Sequence, residues 1–166
     1  VQAMVKQTID ELGKIDISVQ NAGVINVKPV VELTEEDWDH SMGVNAKGGF
    51  FGCKAVLPHM RERGGGKIIN VASIAGKNGF GTLAHYCASK FAVVGFTNSL
   101  AKEVATENIT VNAICPGIIG TAMWVGPGSL GDVWRAEGES SEESWLRNAA
   151  EIIPQGVPQT AEDMGE

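Results

Sequence analysis

The segment Lys67-Ile-Ile-Asn-Val-Ala-Ser73 combines a short apolar, β-branched run with a serine at its end. Three glycines at 64–66 precede it, so residues 67–72 have the length and the boundary of a buried β-strand. A similar run at 109–114 stops at Cys115-Pro-Gly, a turn that a central strand could not contain. Both runs predict strands of a covered sheet, and the first of them places Ser73 at its carboxyl end.

Helical and strand-like segments alternate on either side of this run. The predicted helices are 1–12, 35–61 with an interruption at Gly48-Gly49, and 82–107, and the predicted strands are 15–20, 67–72 and 109–114. Gly13 is placed to end the first helix in a left-handed cap, and Thr34 with Asp37 is placed to cap the second. Apolar strands separated by helices imply right-handed crossovers. The predicted fold class is therefore α/β, a doubly wound parallel sheet with helices on both faces.

The stretch from 118 to about 156 loses this periodicity and carries three of the four tryptophans, Trp124, Trp134 and Trp145. Long irregular stretches are often functional, and this one follows the third strand, where α/β sheets bind ligands. We expect a flexible lid over a substrate. The alternative is a surface excursion whose tryptophans pack on the domain or on a neighbouring subunit. Thr160 is expected to cap a further helix.

Composition excludes several classes of partner. The 166 residues carry a formal charge of −7 and no run rich in Lys or Arg, which argues against nucleic acid and anionic membranes. No apolar run reaches the length of a membrane span. Cys53, Cys87 and Cys115 are widely spaced and lack metal-binding or disulfide patterns. We expect a cytoplasmic protein that binds a small molecule and no metal.

Tyr86, the only tyrosine in the sequence, stands four residues before Lys90 in a predicted helix. This spacing puts both side chains on one helix face, where the ammonium lowers the pKa of the phenol. A phenol of that kind can act as a general acid and base. Taken alone, the pair is also what a solvated helix surface produces by chance.

The ends of three predicted strands add to this pair. Ser73 closes one strand, Asn21-Ala22-Gly23 follows another, and Pro116-Gly117 follows the third. Carboxyl ends of parallel strands share one edge of a sheet, and glycine there allows a flat ligand to lie close to the backbone. A serine at the end of a strand is otherwise a common turn or helix-cap residue.

Together these residues resemble the short-chain dehydrogenase/reductase family. The matching set, in order, is Asn21-Ala22-Gly23, Asn45, Ser73, Tyr86-x-x-x-Lys90, Pro116-Gly117 and Thr121. The resemblance implies a Rossmann-like sheet and a nicotinamide cofactor. It implies that Tyr86 exchanges a proton with the substrate oxygen, which Ser73 steadies. It also implies that Lys90 lowers the pKa of Tyr86 and binds the nicotinamide ribose, and that Asn45 holds a water in a proton relay.

The resemblance further implies the residues that hold the cofactor. Asn21, Ala22 and Gly23 would line the adenosine side of the cofactor. Ile119 and Thr121 would hold the nicotinamide carboxamide. The other cofactor-binding residues would be Tyr86, Lys90, Pro116 and Gly117. The family's glycine-rich pyrophosphate loop is absent from the sequence, as are its first three strands and its last strand. We therefore expect 1–166 to be part of a single Rossmann-type domain, with the lid at about 118–156. The residue that selects NAD or NADP is also absent; we favour NAD, with NADP as the alternative.

The favoured activity is hydride transfer on a small alcohol or carbonyl substrate such as a polyol, diol or hydroxyketone. A 3-oxoacyl-carrier-protein reductase is the alternative within the class, although 118–156 has only Arg135 and Arg147 against six acidic residues. A catalytically silent, cofactor-binding scaffold is the alternative outside it. The resemblance also implies a homotetramer that associates through the helices at 35–61 and 82–107.

Overall fold

A computed structural model describes residues 1–165 of the chain. Val1–Val24 and Pro29–Cys115 form the first of two units. Its regular elements are α1 (Gln2–Leu12), β1 (Ile17–Gln20), a 3₁₀ turn (Val30–Glu32), α2 (Glu35–Ser41), a π-helical segment (Met42–Lys47), α3 (Gly48–Glu62), β2 (Gly66–Val71), a second 3₁₀ turn (Ile74–Gly76), α4 (Ala84–Glu103) and β3 (Ile109–Ile114).

The three strands form a parallel sheet in the order β1-β2-β3. This confirms the predicted α/β class and the three predicted strands. The third strand has its predicted bounds, whereas β1 begins at Ile17 rather than at residue 15. The backbone N–H of Ile15 donates to His59 Nε2 over 3.2 Å instead of joining the strand ladder.

The core of this unit lies between the sheet and three helices, α1, α3 and α4. Ile68 of β2 and Val111 of β3 are buried on the same face of the sheet, because they are paired in register. They pack with buried residues of the helices such as Val56 and Leu100. On the opposite face, Ile17 and Val19 of β1 are about half exposed.

The long helix predicted over 35–61 is present, with a π-helical interruption that begins before the two glycines. Thr34 caps α2 through the predicted capping box with Asp37. The π-helical segment Met42–Lys47 then buries Asn45. Single π turns of this kind insert an extra residue per turn and occur often at functional sites.

The helix predicted over 82–107 is shorter in the structure, where α4 spans Ala84–Glu103. Thr82 has a φ of 61°, outside the helical range, and Leu83 is the N-cap residue. At the other end Asn108 has a φ of 55°. Helix α1 ends as predicted, at Gly13 with a φ of 78°.

The second unit comprises Ile25–Lys28 and the chain from Pro116 onward. It contains α5 (Leu130–Val133), α6 (Ser141–Ile152) and a 3₁₀ turn (Glu162–Met164). The segment 118–156 is irregular as expected over much of its length, but it contains a regular helix of 12 residues, α6. Its role as a lid stays a prediction. The helix expected after Thr160 is only a 3₁₀ turn.

A helix cap and tryptophan contacts stabilise the regular structure of this second unit. Ser140 and Glu143 form a capping box at the start of α6. The ring of Trp145 lies against Gly120, where an added Cβ would be 2.6 Å from it. Trp124 and Trp134 meet edge to face, with ring centroids 5.6 Å apart. The tryptophans therefore pack within this unit.

Two classes of feature are not found in the described part of the chain. No helix within residues 1–165 is both long and apolar enough to cross a bilayer. Nor do these residues contain a group of three or more His, Cys, Asp or Glu side chains suited to a metal ion.

Candidate active site

Tyr86 and Lys90 lie one turn apart on the buried face of α4, with side chains only 6% and 4% exposed. The Lys90 ammonium donates a hydrogen bond to the carbonyl oxygen of Val71, the last residue of β2, over 3.0 Å. The same nitrogen lies 5.7 Å from the centroid of the Tyr86 ring. The backbone of β2 therefore holds the cation beside the phenol.

Ser73 follows β2 and extends toward the same part of α4. Its hydroxyl accepts a hydrogen bond from the Ala75 N–H over 3.1 Å and so caps the 3₁₀ turn Ile74–Gly76. It also lies close enough to the Tyr86 phenol to lower the pKa of that group. The structure thus brings together the predicted hydroxyl, phenol and ammonium, and the serine serves as a cap as well.

The ionisation of these groups differs from the expectation for a phenol beside a lysine. Burial raises the pKa of Tyr86 above its ordinary value of 10, and the polar influence of the Ser73 side chain opposes that rise. Burial lowers the pKa of Lys90 from 10.5 to about 8, with the nearby Cys115 acting in the opposite sense. The predicted net lowering of the Tyr86 pKa is therefore wrong for this structure, because loss of solvent outweighs the other influences.

Asn45 is 4% exposed and ties the loop after β1 to α4. Its Oδ1 accepts from the Val24 N–H over 2.8 Å, and its Nδ2 donates to the Val24 carbonyl oxygen over 3.0 Å. Nδ2 also donates to Ser89 over 2.9 Å and lies 3.4 Å from the Ser41 hydroxyl. The predicted relay residue is thus in the site, and its amide is held by protein groups on several sides.

The loop Asn21-Ala22-Gly23 leads from β1 into this network. Asn21 and Ala22 are exposed, and Gly23 is partly buried. A Cβ placed on Gly23 would lie 3.5 Å from both Asn45 Oδ1 and Lys90 Nζ. A side chain at this position would therefore come into van der Waals contact with both predicted catalytic residues.

Four predicted cofactor-binding residues, Pro116, Gly117, Ile119 and Thr121, belong to the second unit. Within that unit, the Gly117 N–H donates to Gln159 Oε1 over 2.8 Å. Ile119 pairs with Gln159 in an isolated parallel bridge, and the Thr121 N–H donates to the Ile119 carbonyl oxygen over 2.7 Å. Their role toward a cofactor stays a prediction.

Two residues that sequence reasoning missed help to build the site. Gly76 lies against the backbone of α4, where an added Cβ would be 2.8 Å from the Lys90 carbonyl oxygen. Ser89 is fully buried between the two predicted catalytic residues of α4. Its position within Tyr86-x-x-Ser89-Lys90 is a signal for Ser89, since a polar residue one turn from Tyr86 shares its helix face.

Comparison with known proteins places this chain in a family. The family described as short chain dehydrogenase matches residues 1–127. The chain is 47% identical over 124 residues to a subunit of (2S)-[(R)-hydroxy(phenyl)methyl]succinyl-CoA dehydrogenase from Thauera aromatica, covering 75% of this chain and 50% of that protein. It is 46% identical over 121 residues to L-2,3-butanediol dehydrogenase from Corynebacterium glutamicum, covering 72% and 47%.

A third relative covers nearly the whole chain. It is the 3-oxoacyl-[acyl-carrier-protein] reductase of Chlamydia pneumoniae, 38% identical over 164 residues, which cover 99% of this chain and 60% of that protein. Among solved structures, levodione reductase superposes with a TM-score of 0.87 at 30% identity, covering 98% of this chain and 61% of that one. The chain spans about half the length of the first two relatives. It belongs to the short-chain dehydrogenase family.

Proposed function

We propose that this chain supplies the catalytic part of an NAD(P)-dependent oxidoreductase acting on a small alcohol or carbonyl compound. The observation that carries this proposal is the meeting of Ser73, Tyr86 and Lys90. They come from two separate elements, the end of β2 and the buried face of α4. Ser73 lies close enough to Tyr86 to lower its pKa, and Lys90 donates a hydrogen bond to Val71 of β2. Such a cluster of a proton donor, a hydroxyl and a cation suits a developing oxyanion.

The residues present fit a nicotinamide cofactor. Gly23 leaves space beside Lys90 and Asn45 that a single Cβ would begin to fill. We assign Asn21, Ala22 and Gly23 to the adenosine side, and Pro116, Gly117, Ile119 and Thr121 to the nicotinamide side. The bound nicotinamide would supply or accept the hydride. The preference for NAD over NADP rests on the resemblance alone.

The chain's own residues would manage the proton. At neutral pH the Tyr86 phenol is protonated, because burial raises its pKa. During reduction it donates that proton to the substrate oxygen, while the Ser73 hydroxyl donates a hydrogen bond to the same oxygen. Lys90, held by Val71, stabilises the resulting phenolate. In the oxidation direction each transfer runs backwards.

Small diols and hydroxyketones are the substrate class that we favour. The relative named L-2,3-butanediol dehydrogenase supports this choice through its identity of 46%. The relative named 3-oxoacyl-[acyl-carrier-protein] reductase supports the alternative, a carrier-linked substrate. Against that alternative, 118–156 has six acidic residues and two basic ones, which disfavours an anionic carrier.

We also propose a homotetramer that forms through α3 and α4. Phe50 and Phe51 of α3 and Phe91 of α4 are partly exposed, and Phe50 contacts the ring of Phe96 edge to face at 6.1 Å. Exposed aromatic residues on two adjacent helices are typical of a surface that a neighbouring subunit covers.

The test is an assay of the protein that carries this sequence. The change in absorbance of the nicotinamide cofactor, NADH or NADPH, is measured with each candidate substrate in turn. The candidate substrates are polyols, diols, hydroxyketones and acetoacetyl thioesters. Turnover of diols or hydroxyketones supports the proposal, and a clear preference for the thioesters supports the alternative. Cofactor binding without turnover of any compound would indicate the silent scaffold.

A further inference from the structure

Ser89 lies between Tyr86 and Lys90 on α4 and is completely buried. Its hydroxyl donates a hydrogen bond to the Tyr86 carbonyl oxygen over 2.7 Å. The hydroxyl oxygen of Ser89 in turn accepts a hydrogen bond from Asn45 Nδ2 over 2.9 Å. One hydroxyl thus joins the helix that carries the proposed acid/base to the π-helical segment that carries Asn45.

The chemistry of a hydroxyl makes this link directional. A serine hydroxyl has a single proton, and here that proton is committed to the Tyr86 carbonyl oxygen. Toward Asn45, Ser89 Oγ can therefore only accept. The NH₂ group of Asn45 must face Ser89, and the amide oxygen must face the opposite side.

The orientation of the Asn45 amide also determines its bonds to Val24, at the end of the loop that carries Gly23. Oδ1 accepts from the Val24 N–H over 2.8 Å, and Nδ2 donates to the Val24 carbonyl oxygen over 3.0 Å. A reversed amide would set its NH₂ group against the Val24 N–H, and that partly buried donor would lose its acceptor. It would also turn a donor group toward the space beside Gly23 and Lys90, where an acceptor oxygen now lies.

We propose that Ser89 is a positioning residue, which fixes the Asn45 amide in the one orientation that holds Val24 and the loop before it. Its effect on catalysis rests on the proposed function. Its effect on the loop does not, because the hydrogen bonds lie within the chain itself.

The direct test measures hydrogen exchange at the Val24 amide by NMR, in the protein that carries this sequence. In Ser89→Ala the Asn45 NH₂ group loses its shortest acceptor and keeps only the Val24 carbonyl oxygen and the more distant Ser41 hydroxyl. We expect protection of Val24 to fall roughly tenfold, the effect of about one hydrogen bond. Ser89→Thr keeps the hydroxyl and retains most of that protection. Unchanged protection in Ser89→Ala would overturn the proposal.

Thr97 provides a matched control on the same helix. It too is a buried hydroxyl that donates to a backbone carbonyl, that of Val93 at 2.7 Å, and accepts from an asparagine, Asn70 Nδ2 at 2.9 Å. Thr97→Val removes that hydroxyl without touching Asn45, so Val24 protection stays at the wild-type level. An equal loss in both variants would mean general loosening of α4 and would overturn the proposal.

Kinetics separate this inference from the proposed function. In an active enzyme, Ser89→Ala raises the cofactor KM severalfold and changes kcat less, because the loop before Val24 is loosened. If the wild type shows no turnover while Val24 protection still falls in Ser89→Ala, the positioning role stands and the proposed function fails. If Ser89→Ala does not fold, Ser89→Cys preserves the volume with a weaker acceptor, and unchanged Val24 protection in that variant would likewise count against the proposal.

Discussion

Gly76 packs directly against the backbone of Lys90, and a Cβ on Gly76 would lie 2.8 Å from the Lys90 carbonyl oxygen. Gly76 ends the 3₁₀ turn that Ser73 caps, so this contact sets the distance between the end of β2 and α4. The approach of Ser73 to Tyr86 depends on the absence of a side chain at this position.

Gly76→Ala should therefore push the turn away from α4. We expect a loss of about 1 to 3 kcal/mol in the free energy of unfolding, the usual effect of overpacking, and a larger loss of turnover than of cofactor affinity. Urea denaturation and steady-state kinetics measure both. Gly95→Ala, a helical position with nothing near its added Cβ, is the control and should be neutral or stabilising by up to about 1 kcal/mol. Equal effects of the two substitutions would contradict the packing account.

The buried ammonium of Lys90 should make stability depend on pH. Its pKa is about 8 in the folded chain against an ordinary 10.5, so between these values the unfolded chain binds more protons. Stability contributed by this group therefore rises with pH from about 8 upward, by at most about 1.4 kcal/mol per pH unit. Above pH 10 the raised pKa of Tyr86 acts in the opposite sense.

Urea denaturation at intervals from pH 7 to 9.5, for the wild type and Lys90→Met, isolates this contribution. The difference in free energy of unfolding between the two proteins should change across that range in favour of the wild type. Parallel pH profiles would show that Lys90 keeps an ordinary pKa in the folded state.

Gly23→Ala should weaken cofactor binding while leaving the fold intact. The added Cβ would make ordinary contacts of 3.5 Å with Asn45 Oδ1 and Lys90 Nζ, so we expect little change in Tm. It would occupy space that we assign to the cofactor, and the cofactor KM should rise by about tenfold or more, the effect of roughly 1.4 kcal/mol. Gly79→Ala, with nothing near its Cβ, should leave this KM unchanged. A wild-type KM in Gly23→Ala would remove this loop from the binding site.

Phe91→Glu should disrupt the proposed association of subunits. Phe91 is 48% exposed on α4, so in an isolated chain the change would cost little stability. In a tetramer the charge would be buried without a partner. Sedimentation should show a wild-type tetramer and a smaller species for Phe91→Glu, and a wild-type monomer would contradict the assembly.

The sequence predicted the sheet, and the closeness of Ser73, Tyr86 and Lys90 in it, because both depend on local patterns. Strand ends and the four-residue spacing of Tyr86 and Lys90 follow from backbone periodicity. The sequence predicted an interruption of the helix at Gly48-Gly49. The structure has a π-helical segment just before these glycines, which contains Asn45 and begins at Met42. Helix α6 of the second unit was not predicted, although Ser140-x-x-Glu143 has the pattern of a capping box at the start of a helix.

The electrostatics of the site could not be read from spacing. Two side chains four residues apart share a face, but their pKa values depend on burial by distant elements. Here Lys90 is turned toward Val71 of β2, and burial outweighs the other influences on both groups. The packing of Gly76 on α4 likewise joins residues whose contact arises only from the tertiary fold.

The most direct test of the central claim is turnover by Tyr86→Phe. Tyr86 is the only tyrosine in this sequence and is largely buried. Its replacement by Phe removes one hydroxyl and keeps the packed ring. With cofactor and a diol or hydroxyketone that the wild type turns over, we expect kcat to fall roughly 10²- to 10⁴-fold, with cofactor affinity and Tm nearly unchanged. Turnover at the wild-type rate would contradict the assignment of Tyr86 as the acid/base.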